Sequence, residues 1–185
     1  MESKPPRTSW HRWWPSVTIG VAAMVLNVLV YFLLPPEFLE PLKGFGYVTA
    51  FAVAAFANAS VLLPVPYYPL IARLAQALNV WGVILAAAAG SALGESVAFL
   101  VGKTGRGVIK ASRVKNWIRR QMRQPWRAGI VLFALSAPPN PAFDIAGLLA
   151  GAFGVPLRVF LLSVFLGRII RMSLVAFVGL SIEWV

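Results

Sequence analysis

The chain has 185 residues, of which 59% are hydrophobic and 12% charged, with a mean hydropathy of +0.75 and a formal net charge of +11. A soluble domain carries about 25% charged residues, so this composition excludes an ordinary soluble globule and assigns an all-α polytopic membrane protein. With no cysteine and one histidine, His11, disulfides and thiolate metal centres are excluded, a single histidine does not supply a metal centre by itself, and neither a metal nor a cofactor is expected.

Residues 1–15 carry Lys4, Arg7 and Arg12 beside Trp10, His11, Trp13 and Trp14, the pattern of a cytoplasmic N-terminus anchored at the interface. The apolar run 16–34 is too long for a signal-peptide core and is expected to be a transmembrane helix kept as a signal anchor, closed by Pro35-Pro36. A polar link with Glu37, Glu40 and Lys43 leads into an apolar segment over 45–63. That segment meets Pro64-Val65-Pro66-Tyr67-Tyr68-Pro69, where proline removes backbone donors and a helix cannot continue. A short stretch, 70–78, then reaches Asn79, so 45–79 reads as one broken hairpin.

A full span is expected over 80–102, carrying Gly90, Gly94 and Glu95. The spacing Gly90-x-x-x-Gly94 lets a second backbone come close. Residues 103–127 then hold nine of the seventeen basic side chains and no acid. Val108, Val114, Trp117, Ile118 and Met122 recur at helical spacing there, which predicts a basic amphipathic helix on the cytoplasmic surface. Its cations Lys110, Arg113, Lys115, Arg119, Arg120 and Arg123 are assigned to anionic lipid headgroups, not to nucleic acid. A second broken hairpin follows over 128–154, interrupted at Pro138-Pro139-Asn140-Pro141, and a last span over 156–180 contains Arg158, Arg168 and Arg171.

The two breaks are similar. Pro64-x-Pro66 recurs as Pro139-x-Pro141 at an offset of 75, and Leu74, Ala75, Ala77 and Val80 match Leu149, Ala150, Ala152 and Val155. Residues 96–102 resemble 173–179 after a two-residue slip. The expected architecture is therefore a repeat of re-entrant hairpin plus transmembrane helix, preceded by one N-terminal helix. One hairpin and one crossing make an odd number, so the second copy is inverted. With the N-terminus inside, the first hairpin enters from outside and the second from inside. The tips, Pro64, Pro66 and Pro69 in one and Pro138, Pro139 and Pro141 in the other, meet near the midplane. This scheme requires that 45–63 not cross fully.

Only two acids, Glu95 and Asp144, fall in apolar context. An acid at mid-helix costs roughly 2.5–3.5 kcal/mol to insert, so each is expected to face a polar path or an opposite charge. Arg73, Arg168 and Arg171 are the available counter-charges. Mutual neutralisation that fixes packing and a polar groove for headgroups or protons both account for these groups. Ser136 has no general base within reach, so no catalytic residue is assigned and the chain is read as non-enzymatic. No nucleotide-binding motif supports direct ATP drive.

Three stretches carry a resemblance: Pro139-Asn140-Pro141-Ala142-Phe143-Asp144-Ile145-Ala146-Gly147 with Gly151, Phe153, Val155 and Pro156; Phe165-Leu166-Gly167-Arg168-Ile169-Ile170; and Gly90-x-Ala92-Leu93-Gly94-Glu95. They resemble the VTT-domain proteins, nearest in motif to the vacuole membrane protein 1 branch, a group related to the bacterial DedA family. The similarity covers roughly residues 45–180. It implies opposed re-entrant hairpins and lipid movement between leaflets: energy-independent scrambling in eukaryotic relatives, flipping of undecaprenyl phosphate in DedA proteins. Glu95 and Asp144 match the pattern. Tyr67-Tyr68 stands where DedA chains carry an acid, and Ser136 and Asn140 where they carry arginines, which counts against proton-coupled carriage.

The expected function is phospholipid scrambling in the inner (plasma) membrane. Glu95, Asp144, Asn140, Arg73 and Arg168 would line a midplane groove, and membrane phospholipids would be the partners. A proton-coupled flippase for an undecaprenyl-phosphate-like lipid and a non-transporting membrane scaffold are the alternatives; self-association into a homo-oligomer is left open.

Overall fold

The structure, a computed structural model, describes residues 14–33, 44–60, 65–105, 124–138 and 142–182. Seven helices occupy them: α1 (Trp14–Leu33), α2 (Tyr47–Ala59), α3 (Tyr68–Ala77), α4 (Val80–Thr104), α5 (Pro125–Ser136), α6 (Ala142–Phe153) and α7 (Leu157–Ser181). No strand occurs among the described residues. The basic residues from Lys110 to Arg123, Pro64, Pro139, Asn140 and Pro141 lie outside them, as do nearly all of 1–15 and the link around Glu37 and Glu40.

Local chemistry sets the helix ends. The Asn79 side chain accepts hydrogen bonds from the backbone N–H groups of Trp81 at 3.1 Å and Gly82 at 3.2 Å, capping α4. Pro69 and Pro125 sit in the first turns of α3 and α5, where a missing N–H costs nothing. Gly154, at φ 77°, closes α6 in a Schellman turn: its N–H donates to the Gly151 carbonyl at 3.1 Å and that of Val155 to Ala150 at 3.0 Å. Some bounds differ from the sequence expectation. The expected surface segment 103–127 loses both ends to its neighbours, because α4 continues through Thr104 and Pro125 starts α5. Within the apolar segment expected over 45–63, the described helix runs Tyr47–Ala59, and residues 61–63 lie outside the described part.

Helix lengths fall into two groups. α4 and α7, each 25 residues, are about 37 Å long and exceed a hydrocarbon core of about 30 Å. The 13, 10, 12 and 12 residues of α2, α3, α5 and α6 give only about 15–20 Å each.

α4 and α7 cross the centre antiparallel. Trp81 at the start of α4 lies 6.0 Å from Phe177 near the end of α7, ring to ring. α2 runs parallel to α4, with Tyr47 beside Gly82 and Ala55 beside Gly94. α3 runs parallel to α7, from Tyr68 beside Arg171 to Gln76, whose amide donates to the Gly179 carbonyl at 2.7 Å. Likewise α5 follows α7, with Gly129 beside Ser163 and Ser136 beside Gly167, and α6 follows α4, with Gly147 beside Ala98 and Gly151 beside Phe99. Hence α2 and α3 point in opposite senses, as do α5 and α6. The first short helix of each pair packs on the long helix that follows it, and the second packs on the other long helix.

Glycines permit these crossings. The Gly90 position faces the Phe51 carbonyl of α2 and Gly167 faces Ser136 of α5, each too closely for a Cβ. Gly102 against Leu148 and Gly179 against Ala72 do the same for α6 and α3. The Gly90-x-x-x-Gly94 stripe thus brings in a second backbone, as its spacing implies. Both glycine pairs stand 77 residues apart, the separation of α4 from α7.

Two apolar cores result. One gathers Ala50, Ala54, Ile71, Leu74, Ile84 and Met172; the other gathers Phe99, Leu132, Phe143, Ala150, Phe160 and Val164. The outer faces are also apolar: Leu85, Leu93, Val97 and Leu100 line α4 and Leu162, Leu166, Ile170 and Leu174 line α7, all exposed. An apolar interior inside an apolar exterior belongs in lipid.

Candidate functional site

Between the two cores lies a band of buried polar groups. Arg168 Nη2 donates to Glu95 Oε1, an ion pair joining α4 to α7. Glu95 is 1% exposed and Arg168 2%. Each sits near the middle of its long helix. The Phe143 ring, in the first turn of α6, is 5.2 Å from Arg168 Cζ, and its π-face adds a cation–π contact. Gly147, one turn further along α6, leaves room at the other carboxylate oxygen: a Cβ there would stand 3.9 Å from Glu95 Oε2.

Arg171 lies one turn along from Arg168, on the same face of α7. Its Nη2 donates to the Pro138 carbonyl, its Nε to the Ala137 carbonyl at 3.4 Å and its Nη1 to the Tyr68 hydroxyl at 3.4 Å. One guanidinium therefore holds residues flanking both proline breaks. Tyr68 stacks on Tyr67 with ring centroids 4.4 Å apart. The band continues through Asn58 of α2, whose amide donates to the Ala54 carbonyl at 2.7 Å and to Ser91 Oγ of α4 at 3.1 Å.

Of the residues expected at the site, Glu95 and Arg168 meet directly. Arg73 lies half-buried on α3. Asp144 falls in the first turn of α6, three residues before Gly147; its side chain is outside the described part. Asn140 is also outside it, with Pro64, Pro139 and Pro141, whereas Pro66, Pro69 and Pro138 flank the breaks. The cations Lys110, Arg113, Lys115, Arg119, Arg120 and Arg123 fall outside the described residues as well.

Arg171, Tyr67, Tyr68, Asn58 and Ser91 are polar members of the band not among the expected site residues. A sequence signal exists for Arg171: two arginines three apart in an apolar helix share one face, so both turn inward together. Nothing in the local sequence marks Asn58 or Ser91.

Such a band keeps charge paired away from solvent, and it does so beside two points where the backbone departs from regular helix. The VTT-domain family model matches residues 65–181, more than half of the chain. The chain belongs to the VTT-domain family. The matched VTT domain begins at the first break and takes in α3 to α7, including the Glu95–Arg168 pair and all partners of Arg171. Comparisons with curated proteins and with solved structures find no match. Family membership and the two long apolar helices together make this a membrane protein.

Proposed function

We propose that this VTT-domain protein moves phospholipids between bilayer leaflets without an energy source. The observation that carries this reading is the buried band of Glu95–Arg168 and Arg171, in which Arg171 contacts residues flanking both proline breaks. A headgroup crossing a bilayer has to shed water near the midplane, and fixed charges and freed backbone dipoles there lower that cost. Arg168 and Arg73 would balance Glu95 and Asp144, and the Asn140 amide would hydrogen-bond at the second break. Acyl tails would remain in lipid against the apolar outer stripes of α4 and α7.

In the proposed topology the N-terminus is cytoplasmic in the inner membrane, and each break is the tip of a re-entrant hairpin in an inverted repeat. Three features support it. The short helices are each too short to span, the members of each pair run in opposite senses, and the packing partners exchange between the two halves. The band is closed in this conformation, so passage requires the two breaks to part.

Reconstitution tests the function. The full chain in phosphatidylcholine liposomes with a fluorescent headgroup lipid should expose inner-leaflet label to a membrane-impermeant quencher with no gradient applied. Dependence on an imposed pH gradient would transfer the assignment to a proton-coupled flippase. No lipid movement under either condition would leave a non-transporting membrane role. If Glu95→Ala and Asp144→Ala scramble at the wild-type rate, these side chains are not on the path.

A further inference from the structure

We propose that Arg171, with the hydroxyls of Tyr67 and Tyr68, binds the phosphate group of a phospholipid at the junction of the two breaks. The site rests on the transport reading for its position on a lipid path, but its chemistry is independent of transport.

Charge is the first reason. Arg171 is 4% exposed, and an arginine keeps its charge in any protein environment. Arg168 has a carboxylate on it, whereas the partners of Arg171 are a phenol and two backbone carbonyls, all neutral. A buried cation whose partners among the described residues are all neutral is costly to keep, and an anion brought there regains that cost. Two of the three hydrogen bonds, from Nε and Nη1, are long at 3.4 Å. These donors exchange readily for phosphate oxygens, which the planar guanidinium fork matches two at a time.

The surroundings point the same way. The Tyr67 hydroxyl is buried without a well-formed hydrogen bond, with Asn58 and Tyr68 as its polar neighbours and the Tyr68 ring 4.4 Å away. A phenol in that state is a donor waiting for an acceptor. α3 also begins here, with no side chain capping its first turn, and α6 begins beside Arg168 through Phe143. The start of α3, which Tyr68 places beside Arg171, favours negative charge there.

Binding by the full chain in detergent tests the site. Stepwise adducts would be measured by native mass spectrometry with phosphatidylcholine, with diacylglycerol of the same acyl chains, and with inorganic phosphate. Phosphatidylcholine is zwitterionic, so the basic segment between α4 and α5 contributes little to the difference. The expected result is roughly tenfold or more preference for phosphatidylcholine over diacylglycerol, abolished by Arg171→Gln. Tyr68→Phe, which keeps the ring packing, should weaken phosphatidylcholine about threefold or more, and Arg171→Lys should recover part of the preference. If Arg171→Gln does not fold, Tyr68→Phe and Arg171→Lys decide. Equal binding of the two lipids, or wild-type binding by Tyr68→Phe, overturns the site. Competition by inorganic phosphate as strong as by the lipid overturns the lipid assignment in favour of a free anion. Arg171-dependent binding in a chain that does not scramble overturns the transport reading and leaves this site standing.

Discussion

Glu95 on α4 and Arg168 on α7, 73 residues apart in sequence, form a buried ion pair between two antiparallel helices of 25 residues each. Their attraction is weakly screened because neither meets water, and the desolvation of both opposes it. Removing one partner strands the other. Glu95→Gln or Arg168→Gln alone should destabilise the fold by about 3–5 kcal/mol, while Glu95→Met with Arg168→Met should recover most of that loss. Thermal unfolding in detergent across this double-mutant cycle reads the coupling; simple additivity would exclude the pair as a stabilising unit.

Backbone crossings should be as sensitive as the charges. Gly90→Leu drives a side chain into the Phe51 carbonyl and Gly167→Leu into Ser136, so both should cost at least about 1–3 kcal/mol or prevent folding. Gly44 has open space, and Gly44→Ala should be silent. Monodisperse yield after size-exclusion chromatography distinguishes the three. Equal yields would mean that α2 and α5 do not approach this closely.

The absence of native cysteine permits a clean accessibility scan. Gly44→Cys and Asn79→Cys, both at exposed positions flanking the first short-helix pair, should react with an impermeant maleimide from outside intact cells. Gln124→Cys and Gly154→Cys, exposed and flanking the second pair, should react only from the cytoplasmic side. Labelling of Gly44→Cys and Asn79→Cys from opposite sides would mean that the first pair crosses the membrane and that the hairpin is not re-entrant.

The cap on α4 is a smaller and separable effect. Asn79→Ala removes the acceptor for the Trp81 and Gly82 N–H groups and should lower stability by about 1 kcal/mol, whereas Asn79→Asp should retain most of it. Thermal unfolding of the two variants checks this. A wild-type midpoint for Asn79→Ala would show that solvent satisfies those groups equally well.

Much of this chain is legible from punctuation. Proline, glycine and asparagine act on the backbone within a turn of themselves, so the start of α6 at Ala142, the start of α4 after Asn79 and the shortness of the helices beside each break follow from local rules. Glu95 is legible as well, because an acid inside an apolar run is conspicuous without any partner in view. Its choice of partner is not. Arg168 and Arg171 present the same charge on the same helix face, and local sequence does not say which one a residue 73 positions away will meet.

The membrane class, the positions of the two breaks and the scarcity of acids were thus settled by residue type and spacing, since each depends on solvation or on neighbouring backbone. Only the packed helices show that α4 and α7 start 77 residues apart with matching glycine contacts. Folding also assigned Glu95 to Arg168 and, among the described residues, gave Arg171 neutral partners beside both breaks. Those assignments depend on the antiparallel crossing of α4 and α7, a long-range arrangement set by where glycines let backbones touch.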